Sequence, residues 1–168
     1  SHTAFDSARF GINQQLAVGL GLREIIPLIP KLGTTERDND LGSGRQGQYP
    51  SELPLSVVVG RLKCFLAIDG LHQVGSSETP IQRVAVACGS AGVFLEPARR
   101  ANCSLLVTGE TNFHTCLEAE ANQTAMLLTG HFASERFAVE QLSKQLDEQF
   151  VDVTVWACER EQDPLTWV

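Results

Sequence analysis

From about residue 81 onward, short apolar runs recur between amphipathic stretches, and no other feature of the sequence restricts the fold so tightly. The runs fall at 84–88, 105–107, 126–128 and 151–156. The first three are unbroken apolar, as strands covered on both faces must be, whereas the fourth alternates and reads as an edge strand. Helices are predicted between them near 92–102, 112–123 and 133–149, with a kink or late start where Pro97 interrupts the first. Strands and helices in alternation imply an α/β fold: a mainly parallel sheet with helices on both faces.

Upstream of residue 81 the pattern is weaker. It predicts a helix over 12–20, a short strand over 24–28 and a second helix over 55–66, with a long polar, glycine-bearing loop over 33–50. Gly42, Gly44 and Gly47 spell G-x-G-x-x-G, but a polar segment precedes them and Pro50 follows, so the strand and helix that a dinucleotide site requires are missing. His72, inside an apparent strand over 71–75, reads as structural. At 168 residues the chain is about one domain by length.

Composition narrows the function classes. Thirteen Lys and Arg against twenty Asp and Glu leave a net charge of −7, which repels phosphate backbones and argues against a nucleic-acid partner. No apolar run approaches the roughly 18 residues of a membrane span. The five cysteines, Cys64, Cys88, Cys103, Cys116 and Cys158, are odd in number and form no C-x-x-C pair. Reduced thiols in a soluble, cytoplasmic protein are the expectation.

Chemistry concentrates after the third run, at 129–136. In a helix starting there, His131 and Glu135 are four apart and share a face. An apolar line through Val139, Leu142, Leu146 and Phe150 continues below Glu135, so this carboxylate is expected to head a buried stripe, where an unpaired charge costs several kcal/mol. A metal ion shared with His131 is one way to satisfy it. Pairing with Arg136 or another arginine, or the positive end of the helix dipole, is another. The turns at Gly89, Gly109 and Gly130 each follow a strand and therefore converge on the carboxyl edge of a parallel sheet, where open α/β sheets bind ligands. Glu110 and His114 repeat the four-residue spacing beside them, with a helix cap and a surface imidazole as the bland alternatives. His2 and Asp6 repeat it near the first residue.

Taken together, the segments 2–6 with Gly11, Ile12 and Asn13, the 42–47 glycine run, the 84–92 strand and turn, 106–110, His114 and 130–137 resemble the Nif-three-like family, whose members are often labelled type-two homologues of GTP cyclohydrolase I. The order and spacing fit nearly end to end, and the 130–137 motif is the most specific part. The resemblance implies a dinuclear site for two divalent metal ions with Asp6, His131 and Glu135 as ligands, and with His2, Glu110 and His114 lining the pocket and available to move protons. Mixed imidazole and carboxylate ligation suits zinc, iron or manganese.

Family members pair two similar α/β halves, and the remaining two ligands belong to an upstream His-His-Pro sequence that nothing here matches. The expectation is therefore a single Nif-three-like region over 1–168, in which 1–50 is the remainder of the first half with its connecting loop and 51–168 is the second half. A polypeptide with three of five ligands is expected to hold metal weakly. The activity implied is that of a metal-dependent hydrolase acting on a small-molecule nucleotide or phosphoester, in a likeness to homohexameric rings. The competing implication is a regulatory or protein-interaction factor whose metal is structural or sensing.

Overall fold

The computed structural model describes residues 2–31, 33 and 40–166. Two short helices, α1 (His2–Ser7) and α2 (Ile12–Gly19), lead into β1 (Arg23–Pro30) and β2 (Gly42–Pro54), followed by α3 (Leu55–Leu66) and β3 (His72–Val74). The second part runs β4 (Pro80–Ser90), α4 (Leu95–Arg100), β5 (Leu105–Glu110), α5 (Phe113–Ala121), β6 (Ala125–Leu128) and α6 (His131–Gln149). Pro97 delays α4, which starts only after a 3-10 turn over Gly92–Phe94 and places the proline in its first turn, where a missing N–H breaks no helical bond.

All six strands join one sheet in the order β1-β2-β4-β5-β6-β3. The α/β class holds, but the sheet is mixed: β4, β5 and β6 are parallel, while β1 and β2 on one side and β3 on the other are added antiparallel. Helices cover both faces. Leu16 and Ala17 of α2 and Leu55, Val58 and Leu62 of α3 pack with Val84, Val86, Leu105, Val107 and Leu127 on one face. Leu95 and Ala98 of α4 and Ala119 of α5 pack with Ala85, Ala87, Leu106 and Met126 on the other. The unbroken apolar runs thus supply both cores at once, as strands buried on both sides must.

Two expectations are corrected. Residues 42–50 of the predicted loop form most of β2, the longest strand, paired with β1 on one side and β4 on the other; positions 34–39 of that loop lie outside the described residues. The predicted edge strand over 151–156 does not form. That segment follows α6 as turns and irregular backbone, with Val151 and Trp156 mostly exposed, because alternation gives strand propensity but no neighbouring strand to pair with. Among the described residues no helix is long and apolar enough to cross a membrane.

All five cysteines are free thiols, and their surroundings separate them. Burial pushes the Cys103 thiol up to about 11, whereas Cys64 and Cys158 are exposed. Since the thiolate is the reactive form, a disulfide reagent at about pH 8 is expected to modify Cys64 and Cys158 quickly and Cys103 only after denaturation. Peptide mass mapping against time reads this directly, and equal rates at all three would contradict the packing around Cys103.

Candidate metal centre

Three strand ends meet at the carboxyl edge of the parallel strands, and hydrogen bonds lock their turns together. Gly130 donates its N–H to the Gly109 carbonyl at 2.8 Å, Thr129 donates to the Thr108 carbonyl at 3.1 Å, and the Thr108 hydroxyl donates to the Gly89 carbonyl at 3.2 Å. Ser134, one turn into α6, accepts from the Gly89 N–H at 2.9 Å and donates to the His131 carbonyl at 2.8 Å. The helix start is thereby fixed over the ends of β4 and β5. Asn13 ties α1 in from the other side: its Oδ1 accepts from the Cys88 N–H at 2.7 Å, and its Nδ2 donates to the Asp6 carbonyl at 3.0 Å.

On this frame the structure brings five of the six singled-out side chains into one continuous cluster. The His2 ring lies 3.3 Å from Asp6 through Nδ1 and 3.2 Å from Glu135 through Nε2. The His131 ring donates from Nδ1 to Glu110 Oε1 at 2.9 Å and turns Nε2 toward Glu135 Oε1 at 3.5 Å. Glu135 stands between the two imidazoles. Gly89, at a φ of +71°, lies directly beneath: a Cβ there would fall 2.4 Å from Glu135 Oε1 and 3.5 Å from His131 Nε2. Glycine is required here twice over, for its left-handed backbone and for the room it leaves.

The electrostatics follow from these contacts. The hydrogen bond to Glu135, reinforced by the charge of Asp6, raises the proton affinity of His2 above the usual imidazole range. His131 is raised as well, chiefly by its bond to Glu110. Burial lifts Asp6 above an ordinary aspartate, an effect opposed by nearby His2. Cys88 is raised well above the normal thiol range by burial and then by Glu135 and Asp6. The imidazole of His2 is mostly exposed and that of His131 about half exposed, so these ion pairs add little to folding stability.

His114 is not part of the cluster. It sits exposed on the first turn of α5, with its ring 6.3 Å from that of Phe113. The stripe expected beneath Glu135 is also corrected: Val139 and Phe150 are exposed, and the buried line of α6 runs through Ser134 and Ala138. Small residues pack there because the helix lies tight against Gly89 and Gly109; a Cβ on Gly109 would reach within 2.5 Å of Ser134 Oγ. Asn13 and Ser134, which position the cluster, stood in the sequence reading only within the segments that carry the resemblance, with no role of their own. The available signal was a polar residue on the inward side of each helix, beside Ile12 and Leu16 in one and four before Ala138 in the other.

The donor set has the chemistry for a divalent cation: two imidazoles and three carboxylates on one sheet edge, over a glycine that leaves space. With Nδ1 of His131 committed to Glu110, its neutral ring offers the Nε2 lone pair toward a carboxylate oxygen, a juxtaposition that a proton or a cation relieves. The side chains nevertheless pair with one another, and among the described residues no three His, Cys, Asp or Glu groups are arranged around a common point. The fit is in donor type and convergence, and a cation would have to displace the imidazole–carboxylate contacts.

Comparison with known proteins gives matches along the whole chain. A family model described as Duf34/NIF3 (NGG1p interacting factor 3) matches residues 1–164. A Clostridium perfringens protein named GTP cyclohydrolase 1 type 2 homolog is 25% identical over 169 aligned positions, covering 100% of this chain and 63% of its own length. Drosophila melanogaster NIF3-like protein 1 is 31% identical, covering 99% of this chain and 56% of its own length. The chain therefore spans more than half but less than two-thirds of the length of these relatives. The crystal structure of a Bacillus cereus protein related to NIF3 superposes with a TM-score of 0.82 at 17% identity, over 98% of this chain and 71% of that one, which shows a shared fold.

Proposed function

Because the chain belongs to the Duf34/NIF3 family, we propose that the cluster of His2, Asp6, Glu110, His131 and Glu135 is a site for divalent metal serving hydrolysis of a small nucleotide or phosphoester. The observation that carries this reading is the meeting of His131 Nε2 and Glu135 Oε1 above the Gly89 hollow, with Asp6 joined to the same carboxylate through His2. Asp6, His131 and Glu135 would hold the cation, whether zinc, iron or manganese. When bound, it supplies Lewis-acid polarisation and an acidified water. The names of relatives that call them GTP cyclohydrolase 1 type 2 homologues support a nucleotide as substrate class.

The protein's own groups divide the remaining work. Glu110 orients His131 by accepting the hydrogen bond from its Nδ1–H, which fixes the tautomer that leaves the Nε2 lone pair free. His2, held between Asp6 and Glu135 with its proton affinity raised, is placed to hand a proton to a leaving group. Ser134 and Asn13 act through the frame: they keep α6 and α1 at their distance from the β4 turn.

Cobalt(II) titrated into the protein is expected to give a saturable visible spectrum whose affinity falls at least tenfold in His131→Ala and in Glu135→Ala, and roughly tenfold in Glu110→Gln through loss of the orienting bond. Unchanged affinity in both alanine variants would remove the metal reading. Hydrolysis is tested separately, by screening the metal-loaded protein against nucleotides and phosphoesters: turnover that persists in His131→Ala would remove the enzymatic assignment. Metal binding with no turnover would leave the cluster as a structural or sensing site of an interaction factor.

A further inference from the structure

Beside the cluster, on the far side of Glu110, a cleft of about 610 Å³ opens between the ends of β5 and β6, the start of α5 and residues 163–166 of the tail. Its walls are largely apolar, with Val74, Phe113, Leu128 and Leu165 among the lining residues, and Glu110 and Asp163 are its acidic groups. Phe113 is 72% exposed and so leaves much of its ring uncovered at the cleft, and Leu165 on the tail is exposed to the same extent. Among the described residues lining the cleft none is Lys or Arg, and its basic groups are limited to His72.

We propose that this cleft binds the amino-substituted heteroaromatic ring of a nucleoside, stacked on Phe113, with ring and exocyclic N–H groups donating to Glu110 and Asp163. Size, apolar walls and a few polar groups match what small-molecule sites require. An aromatic face is sequence-tolerant and holds any base, while the two acidic groups select the donor-bearing edge. Glu110 gives Oε1 to His131, and Asp163 accepts from the Leu165 N–H at 2.9 Å, so each carboxylate keeps lone pairs to offer. A phosphate finds no cationic side chain here and meets carboxylates instead, so the phosphate end of a nucleotide points out of the cleft. As a substrate assignment this rests on the metal reading above; as a binding site it does not.

The test uses metal-free protein in chelator, so that the two proposals fail separately. Adenosine and guanosine are titrated against the labelled protein while the backbone amides of Gly109, Thr111 and Leu165 are followed by NMR, with ribose 5-phosphate and guanosine triphosphate as comparisons. At least one nucleoside is expected to shift these amides saturably, and the triphosphate to bind more weakly than guanosine. Phe113→Ala should weaken nucleoside binding by roughly tenfold, the loss of one base–aromatic stack, and Phe113→Trp should restore it. Phe10→Ala, an exposed phenylalanine elsewhere on the surface, should change nothing. No saturable response to either nucleoside, equal binding of ribose 5-phosphate, or an unchanged affinity in Phe113→Ala overturns the assignment, whatever the cobalt titration gives.

Discussion

Arg45→Met is expected to cost the fold about 4 kcal/mol or more, a loss of the same order as the total stability of a domain this size. Arg45 is 1% exposed, and its guanidinium spends all five donors inside the protein. Nε donates to Gln14 Oε1 at 3.0 Å, Nη1 to the Gly42 and Gly44 carbonyls at 2.7 Å each, and Nη2 to the Ala8 carbonyl at 2.7 Å and the Asp40 carbonyl at 3.0 Å. One side chain therefore serves four backbone carbonyls from two separate segments, Ala8 and the 40–44 stretch. Methionine fills a similar volume but leaves those oxygens unsatisfied, at roughly 1–3 kcal/mol each before relaxation. Burial depresses the guanidinium's proton affinity, yet an arginine retains its charge at any ordinary pH. Urea unfolding monitored by circular dichroism reads the loss, and Arg45→Lys should recover only part of it because an ammonium cannot span the fork. A loss below about 1 kcal/mol would mean that water replaces the guanidinium readily.

The second large effect belongs to Gly109, at the end of β5. An added Cβ would lie 2.5 Å from Ser134 Oγ, 2.8 Å from the Gly89 carbonyl oxygen and 3.1 Å from the Gly130 carbonyl oxygen. Two of those three neighbours are backbone, held by the hydrogen bonds that lock the three turns, so they cannot swing aside as a long side chain would. Gly109→Ala is therefore expected to destabilise by roughly 3 kcal/mol, the upper end of overpacking. It should also push α6 off the β4 turn, carrying His131 and Glu135 away from His2. A thermal melt with cobalt titration measures both effects. Unaltered stability would show that the turns yield more easily than their bonding suggests, whereas lost stability with intact metal affinity would uncouple the frame from the cluster.

Sequence and structure agree where apolar residues write the signal. α3 begins and ends at the predicted residues, because Leu55, Val58 and Leu62 mark one helical face, and β4, β5 and β6 stand where unbroken apolar runs placed them. β2 escaped because its two-residue period is spelled in other letters: Arg45, Gly47 and Tyr49 are buried while Gln46 and Gln48 are partly exposed. Gly44 has a φ of +62° and sits where a Cβ would meet the Val86 carbonyl oxygen at 3.1 Å, so close backbone approach has taken the place of a β-branched side chain. The segment 151–156 shows the opposite error: its local pattern suits a strand, but pairing is a tertiary fact that no local pattern contains. At the cluster, four-residue spacing and the convergence of the strand-end turns grouped His131, Glu135 and Glu110, and the family resemblance added His2 and Asp6. The same spacing misled at His114: Glu110 ends β5 and α5 begins only at Phe113, so the two residues are not a helical pair, and His114 lies exposed.

Beyond α6 the chain returns along the helix, and Arg136 receives it. Its guanidinium donates to the Cys158 carbonyl and lies 3.5 Å from Glu161, after which residues 163–166 complete one wall of the cleft. With Val151, Val153, Trp156 and Leu165 largely bare, this stretch has little apolar burial to hold it down. It is therefore the part of the molecule able to open at a free energy well below that of global unfolding. Lifting of this stretch would widen the cleft with the sheet and its turns undisturbed. A bound ring that completes the apolar contacts of Leu165 would in turn hold the stretch down, so ligand binding and local order of the tail would rise and fall together.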